Sequence, residues 1–109
     1  MKDYIVPIEM QSLNANTLGI ASYEPFNAAG VEGSLSFIRV TNDSNTDVYL
    51  SYDGIHDHEF IPAGKTIQVY FQANSILASN VSLLRKYTVL SLRGNAGVGF
   101  IYLAGYYNE

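Results

Sequence analysis

The sequence predicts an all-β fold, an antiparallel β-sandwich or jelly roll of about seven or eight short strands. Two observations lead to this prediction. Apolar and polar residues alternate in several short runs, which is the period of a strand with one buried and one exposed face. Turn-forming residues separate these runs about every 8 to 12 residues, a spacing typical of two-layer antiparallel folds. With 109 residues, the chain is expected to form a single domain over 1–109.

Three strand patterns lie in the centre of the chain, at residues 34–41, 46–53 and 65–72. Between the first two, residues 42–45 read N-D-S-N. Such side chains hydrogen-bond to their own backbone, and they predict a hairpin loop. The third pattern alternates most clearly. Its apolar face consists of Ile67, Val69 and Phe71, and its polar face consists of Thr66, Gln68, Tyr70 and Gln72.

Residues 1–11 are expected at the border of the domain, as an edge strand or an extended arm. Pro7 has no amide hydrogen and cannot donate to a sheet ladder, which keeps this segment away from the centre of a sheet. The amide-rich residues 11–16 interrupt the strand pattern. Residues 17–23 are compatible with a short strand, and residues 24–33 predict a loop.

Residues 73–84 are the one candidate for a helix, but several serines lower the helix propensity, so an irregular crossover is expected. Residues 86–93 return to strand alternation, and the G-N-A-G sequence at 94–97 predicts a hairpin turn. The final strand pattern, at 98–107, is apolar or aromatic on both faces. Such a strand is either central in its sheet or covered by another subunit.

Composition restricts the classes of partner. Hydrophobic residues make up 48% of the chain and charged residues 15%, so the surface must expose apolar and aromatic groups, which favours contact with a partner. Lys and Arg total six, they form no basic run, and the net charge is -4, so nucleic acid is not an expected partner. No stretch approaches the roughly 20 apolar residues of a membrane-spanning helix, so we expect no membrane partner. The absence of cysteine excludes disulfides and thiol chemistry.

The H-D-H-E sequence at 56–59 contains residue types that bind transition metals. On an extended backbone, His56 and His58 would project to the same side, which is a starting point for a zinc or nickel site. The sequence shows no third ligand, and the turn signal Asp53-Gly54 favours a polar loop tip. We therefore predict no metal and no cofactor, with His56 and His58 as the candidates should a metal bind.

The sequence does not predict a catalytic centre. Acidic residues lie mainly in predicted loops and near the termini, and no two of them are brought together as an acid–base pair. The G-x-S-x-G motif of a nucleophilic serine is absent. The glycines at 94–99 lack the Lys-Ser/Thr of a phosphate-binding loop and precede a strand instead of a helix. We predict that the protein is not an enzyme.

Tyrosine is the most distinctive residue type, with nine in the chain. Its apolar ring and polar hydroxyl suit protein interfaces and sugar-binding surfaces alike. The alternative is that the rings simply cover the flanks of the sandwich. The residues predicted to form an interface are Tyr4, Val6, Tyr49, Tyr70, Tyr102, Tyr106 and Tyr107.

Several short motifs resemble those of small virion structural proteins of tailed bacteriophages. They are V-T-N at 40–42, V-Y-L-S-Y-D-G at 48–54, F-I-P-A-G-K at 60–65, L-R-K-Y-T-V at 84–89 and G-V-G-F-I-Y-L-A-G-Y-Y at 97–107. The resemblance begins at Val40 and extends to the C-terminal strand. It departs from the family pattern at Tyr87, where a glycine is expected.

This resemblance implies a β-sandwich located in the virion and assembled in the host cytoplasm. The implied function is that of a non-enzymatic structural protein, either a capsid decoration or cement protein or a head–tail or neck accessory protein. Its implied partners are copies of itself, in a trimer or higher ring, and other virion proteins such as the capsid or connector. The alternative is a glycan- or receptor-binding module of a phage tail or fibre, which would use exposed tyrosines and the loop at 53–59.

Overall fold

A computed structural model describes residues 5–71, 84 and 86–108. In this part of the chain, nine strands form two antiparallel sheets that pack face to face, which confirms the predicted all-β sandwich. The predicted crossover at 73–84 lies outside the described residues except for Leu84. Within the same described ranges, none of the helices has the length and apolar character needed to cross a membrane.

The strands are numbered in chain order. They are β1 (Ile5–Pro7), β2 (Gln11–Asn14), β3 (Glu24–Pro25), β4 (Phe37–Ser44), β5 (Val48–Ser51), β6 (Glu59–Ile61), β7 (Thr66–Tyr70), β8 (Ser91–Gly94) and β9 (Gly99–Asn108). One 3-10 turn, Ala15–Thr17, follows β2. The first sheet has the order β1-β9-β4-β7, with β2 also paired to β9, and the second sheet has the order β3-β8-β5-β6.

The core lies between the two sheets and is built from the inward residues of each alternation. In β7, Ile67 and Val69 pack against this core whereas Tyr70 is exposed, as the alternation predicts. β9 lies between β4 and the two N-terminal strands, so it is the central strand that its two apolar faces predict. The largest fully buried apolar side chains are Val31, Leu35, Ile38, Val40, Val48, Leu50, Ile61, Leu90, Leu92, Ile101 and Leu103.

The predicted hairpin at 42–45 is wrong, because β4 and β5 lie in different sheets. β4 continues to Ser44, and the chain then turns a corner into the second sheet. The hairpin predicted at 94–97 is wrong for the same reason, since this segment connects β8 in one sheet to β9 in the other. Turn-forming residues indicate where the chain changes direction, but packing of the two layers decides which sheet the next strand joins.

The buried side chain of Asn42 holds two of these corners together. Its Nδ2 donates to the carbonyl oxygens of Thr46 at 2.8 Å and Ile61 at 3.0 Å. Its Oδ1 accepts from the backbone amide of Ser44 at 3.2 Å. The amide has no exposed surface, so these hydrogen bonds replace the water that it loses. The corner after β4 and the corner after β6 are therefore fixed by one side chain.

β9 begins at Gly99, where two backbones approach closely. Gly99 has a φ of +111°, and a Cβ at this position would lie 2.4 Å from the carbonyl oxygen of Asp43. Glycine alone avoids both the backbone strain and the clash. From this start β9 pairs with β4 over the register from Ser44–Gly99 to Phe37–Tyr106.

The N-terminal segment forms an edge strand of its own domain. β1 pairs with β9, with Val6 opposite Tyr107 and Pro7 opposite Tyr106. The next residue, Ile8, is buried, and its amide donates to the carbonyl of Gly105 at 2.9 Å. Of the two predicted alternatives, residues 5–8 therefore show the edge strand and not the extended arm.

Three further predictions for the first third of the chain are wrong. β2 forms where the sequence predicts an interruption, because an edge strand needs little apolar surface and Leu13 alone packs against the core. Residues 17–23 form no strand. Thr17 is the last residue of the 3-10 turn, and the residues after it are irregular. The short β3 lies within the predicted loop at 24–33, where Glu24 pairs with Leu92 of β8.

β8 begins at Ser91 and not at residue 86 as predicted, because the chain makes a turn at Lys86 and Tyr87. Tyr87 has a φ of +71°, the left-handed conformation that glycine adopts most easily. Its amide donates to the carbonyl of Val31 at 2.9 Å.

Candidate functional site

The outer face of the five-stranded sheet carries a cluster of aromatic side chains, which we term the aromatic face. The register places Phe37 of β4 opposite Tyr70 of β7 and opposite Tyr106 of β9. The ring centroids of Phe37 and Tyr70 lie 4.5 Å apart, and those of Phe37 and Tyr106 lie 5.5 Å apart. Three rings thus form a row across three neighbouring strands, and Tyr70 at one end is 55% exposed.

A second aromatic pair lies further along the same face. The rings of Phe100 and Tyr102 in β9 are stacked with centroids 6.2 Å apart, and Phe100 is 41% exposed. Arg39 of β4, which lies opposite Ala104, separates this pair from the first row. The aromatic face comprises Phe37, Tyr70, Phe100, Tyr102 and Tyr106.

The predicted interface residues fall into separate groups. Tyr70, Tyr102 and Tyr106 share the aromatic face, and Tyr49 lies on the outer face of the other sheet. Tyr107 is half-buried because its ring packs against the core and over Gly33. Val6 lies opposite Tyr107 and shares its inward side. Tyr4 is outside the described residues.

The other sheet carries a groove with Arg93 at its centre. The guanidinium of Arg93 lies 4.5 Å from the centre of the Tyr49 ring, close enough for a cation–π interaction. Its Nε donates to Asp57 Oδ1 at 2.8 Å and its Nη2 to Asp57 Oδ2 at 2.5 Å. Its Nη1 donates to the carbonyl of Ile20 at 3.2 Å. Arg93 therefore connects β8 to two loops.

Tyr23 completes this network, because its hydroxyl donates to Asp57 Oδ1 at 2.5 Å. Hydrogen bonds from Arg93 and then from Tyr23 lower the pKa of Asp57. The same carboxylate raises the pKa of Arg93 and of Tyr23. Each group is thereby held in the protonation state that it has near neutral pH.

Two aromatic rings form one wall of the groove. Tyr49 of β5 pairs with Phe60 of β6, and their ring centroids lie 5.1 Å apart. Phe60 is 48% exposed, so part of its ring is accessible from solvent. The groove encloses about 380 Å³. It is lined by Ile20, Asn45, Thr46, Asp47, Tyr49, Phe60, Arg93, Gly94 and Asn95.

The loop between β5 and β6 brings the two predicted metal ligands together with a third group that the sequence did not reveal. Potential ligand atoms of Asp53, His56 and His58 all lie within 4.8 Å of one another. Asp53 joins the cluster because the chain reverses at Gly54, which has a φ of +74°. The turn at Asp53-Gly54, which predicted a loop tip, therefore also brings the third potential ligand into the cluster.

Hydrogen bonds within the loop already occupy this cluster. The amide of Tyr52 donates to His58 Nδ1 at 3.0 Å, so the neutral ring carries its proton on Nε2 and has no lone pair left for a metal. Asp53 accepts from the amides of Ile55 and His56, at 2.8 and 2.9 Å. It also contacts His56 Nδ1 at 2.9 Å, and this hydrogen bond is the largest cause of its lowered pKa. These bonds favour the loop-tip interpretation over a metal site.

Sequence reasoning missed Phe37, Phe60, Asp57 and Arg93. Phe37 carries a usable signal, because it is a large aromatic residue within the strand predicted at 34–41. Phe60 carries none, because the sequence did not predict the strand β6 to which it belongs. Asp57 and Arg93 carry none, since they lie 36 positions apart and meet only through the tertiary structure.

Comparisons of this chain with protein-family models, curated proteins and solved structures found no match. The chemistry of its two outer faces is therefore the structural observation from which a function can be proposed.

Proposed function

We propose that this protein is a non-enzymatic structural component of a bacteriophage virion and that it functions through contacts between identical copies. The observation that carries the proposal is the row formed by Tyr70, Phe37 and Tyr106. Aromatic side chains are enriched at protein interfaces because each buries a large apolar area at a small cost in conformational entropy. A row of three on the solvent side of a sheet is a surface suited to burial against a neighbour.

The position of the row in the sheet favours a well-defined interface. Phe37 and Tyr106 belong to β4 and β9, which are adjacent strands with neighbours on both sides. Their backbones are held by hydrogen bonds on both edges, so little ordering is needed when a partner binds. A flat sheet face can pack against another sheet at the usual separation of about 10 Å.

A contact between identical copies is compatible with a closed symmetric assembly. A face that meets a different surface of the next copy generates a ring when the rotation closes. We propose a trimer or higher ring, with other virion proteins such as the capsid or connector as further partners. The bacteriophage motifs support a place in the virion, as a capsid decoration or cement protein or as a head–tail or neck accessory protein.

The test is the mass of the protein in solution, measured by analytical ultracentrifugation over a range of concentrations. The full chain is expected to form a trimer or larger ring, and Tyr70→Glu is expected to shift it to monomers because a charge is then buried in the contact. Phe60→Ala, which removes an exposed ring from the opposite sheet, is the matched control and should leave the mass unchanged.

Melting curves keep this test interpretable. Tyr70 is 55% exposed, so its replacement should leave the fold intact. A full chain that stays monomeric at every concentration and fails to join particles would contradict the proposal. A variant Tyr70→Glu that assembles like the unmodified chain would rule out the aromatic face as the contact.

A further inference from the structure

We propose that the groove on the four-stranded sheet is a binding site for a neutral carbohydrate, with a sugar ring stacked on Phe60. This site lies on the opposite side of the sandwich from the aromatic face. It therefore adds a ligand to the proposed structural function and does not depend on the contact between copies.

The exposed ring of Phe60 provides a surface on which a sugar ring can stack. Its neighbour Tyr49 is already covered on one side by the guanidinium of Arg93, so Phe60 offers the accessible aromatic surface in this wall. The C–H bonds on one side of a pyranose ring are weakly positive, and the face of an aromatic ring is negative. Stacking of the two buries apolar area on both without burying a sugar hydroxyl.

Polar groups around the Phe60 ring can form hydrogen bonds with sugar hydroxyls. The Oδ1 of Asp47 accepts from the amide of Ala63 at 2.9 Å, which fixes the carboxylate beside the groove. Asn45 and Asn95 line the same groove. The Oδ1 of Asn45 accepts from the amide of Val98 at 2.9 Å, which leaves its Nδ2 as a donor, whereas the amide of the exposed Asn95 both donates and accepts. Sugar hydroxyls also donate and accept, so this set of groups matches a polyhydroxyl ligand better than a ligand with acceptors alone.

The charge of the groove decides between neutral and anionic sugars. Among the described residues that line it, Arg93 is the one positive side chain, and it is paired with Asp57 through two hydrogen bonds. Asp47 then leaves the groove with a negative charge, which disfavours phosphate and carboxylate groups on a ligand. Its volume of about 380 Å³ is at the small end of the range for small-molecule sites, about 300–1,000 Å³.

The side chains that shape the groove are preorganised. Arg93 is held by Asp57, by the carbonyl of Ile20 and by the Tyr49 ring. Asp57 in turn accepts from Tyr23. The groove therefore keeps its shape without a ligand, and binding does not have to pay for ordering these side chains.

The experiment begins with a glycan array that presents neutral, sialylated and phosphorylated oligosaccharides to the full-length protein. We expect binding to neutral oligosaccharides alone. The strongest neutral oligosaccharide is then titrated into the protein in solution by calorimetry, where avidity from oligomers plays no part. Phe60→Ala is expected to weaken binding at least about tenfold, whereas Asn16→Ala, at an exposed position outside the groove lining, should leave the affinity unchanged.

Several results would overturn the inference. They are an array on which no neutral oligosaccharide binds, an array on which only anionic oligosaccharides bind, and an affinity that is unchanged in Phe60→Ala. If Phe60→Ala fails to fold, Asn95→Ala at the exposed rim replaces it, with the same expected direction. Because Tyr70→Glu tests assembly and Phe60→Ala tests the groove, failure of either proposal is visible without the other.

Discussion

The side chains of Arg93 and Asp57 form two parallel hydrogen bonds, with Nε–Oδ1 and Nη2–Oδ2 distances of 2.8 and 2.5 Å. The planar fork of an arginine matches a carboxylate in this geometry, which gives both strength and a fixed orientation. The side chains of Arg93 and Asp57 are 26% and 32% exposed. This pair fixes the loop between β5 and β6 against β8, so the shape of the groove depends on it.

The pair predicts a specific loss of stability in acid. The pKa of Asp57 is lowered in the folded protein, so the unfolded chain binds more protons than the folded chain below about pH 5. The contribution of Asp57 to the free energy of unfolding should therefore be complete above its unfolded pKa of about 4. It should be lost as the pH falls through the lower pKa that Asp57 has in the folded protein. Urea titrations at a series of pH values between neutral and acid measure this slope.

The variant Asp57→Asn tests the origin of that slope. It retains the shape of the side chain but removes the titrating group, so it should be less stable at neutral pH and lose less stability on acidification. Asn16→Ala, at an exposed position away from the groove, should retain the slope of the unmodified chain. An acid slope of Asp57→Asn that superimposes on the unmodified one would show that the stability comes from other carboxylates.

The buried amide of Asn42 is expected to be one of the most sensitive positions in the fold. Asn42→Ala removes the Nδ2 donor of the Thr46 and Ile61 carbonyls. The Ser44 hydroxyl, 3.2 Å from the Thr46 oxygen, still donates to that carbonyl, whereas Ile61 loses its side-chain donor, and an unpaired buried polar group costs about 1–3 kcal/mol. We expect the free energy of unfolding to fall by about 2–4 kcal/mol in urea denaturation. Asn16→Ala again serves as the exposed control, and an equal effect in both variants would contradict the structural role of Asn42.

Tyr87 offers a test of backbone strain. Its φ of +71° costs a non-glycine residue about 1–2 kcal/mol, and glycine loses about 0.5–1 kcal/mol through its greater freedom when unfolded. Tyr87→Gly should therefore be more stable than Tyr87→Ala, by up to about 1 kcal/mol. Both variants lose the same exposed ring, so the comparison isolates the backbone. The measurement is urea denaturation of the two variants, and a more stable Tyr87→Ala would contradict the strained turn.

The loop that contains His56 and His58 is expected not to respond to zinc. A metal that binds only the folded protein must raise the melting temperature, and the hydrogen bond from the Tyr52 amide competes for His58. We expect equal melting temperatures with saturating zinc and with a chelator. His58→Ala should lower the stability by about 1 kcal/mol without metal, because the Tyr52 amide loses its acceptor. A rise with zinc that His58→Ala abolishes would instead establish a metal site.

The candidate sites were predictable to different degrees. The alternation at 65–72 places Tyr70 on the polar face, so this residue could be selected as a surface residue before the structure was known. The final strand is apolar or aromatic on both faces, so alternation did not separate Tyr102 and Tyr106 from Tyr107, which packs against the core. The shared face of Tyr70, Tyr102 and Tyr106 could not be predicted, because it depends on the pairing of β4 with both β7 and β9. The groove was less predictable still, since Asp57 and Arg93 have no local pattern that associates them.

The sequence by itself determined the all-β class and the buried side of β7, because both follow from the two-residue period of local side chains. Only the tertiary structure decided that residues 42–45 and 94–97 are corners between sheets and not hairpins. A turn sequence specifies a change of direction, whereas the sheet that a strand joins depends on how distant residues fill the common core. In this protein the side chain of Asn42 stabilises that arrangement, since its hydrogen bonds join the corner after β4 to the end of β6.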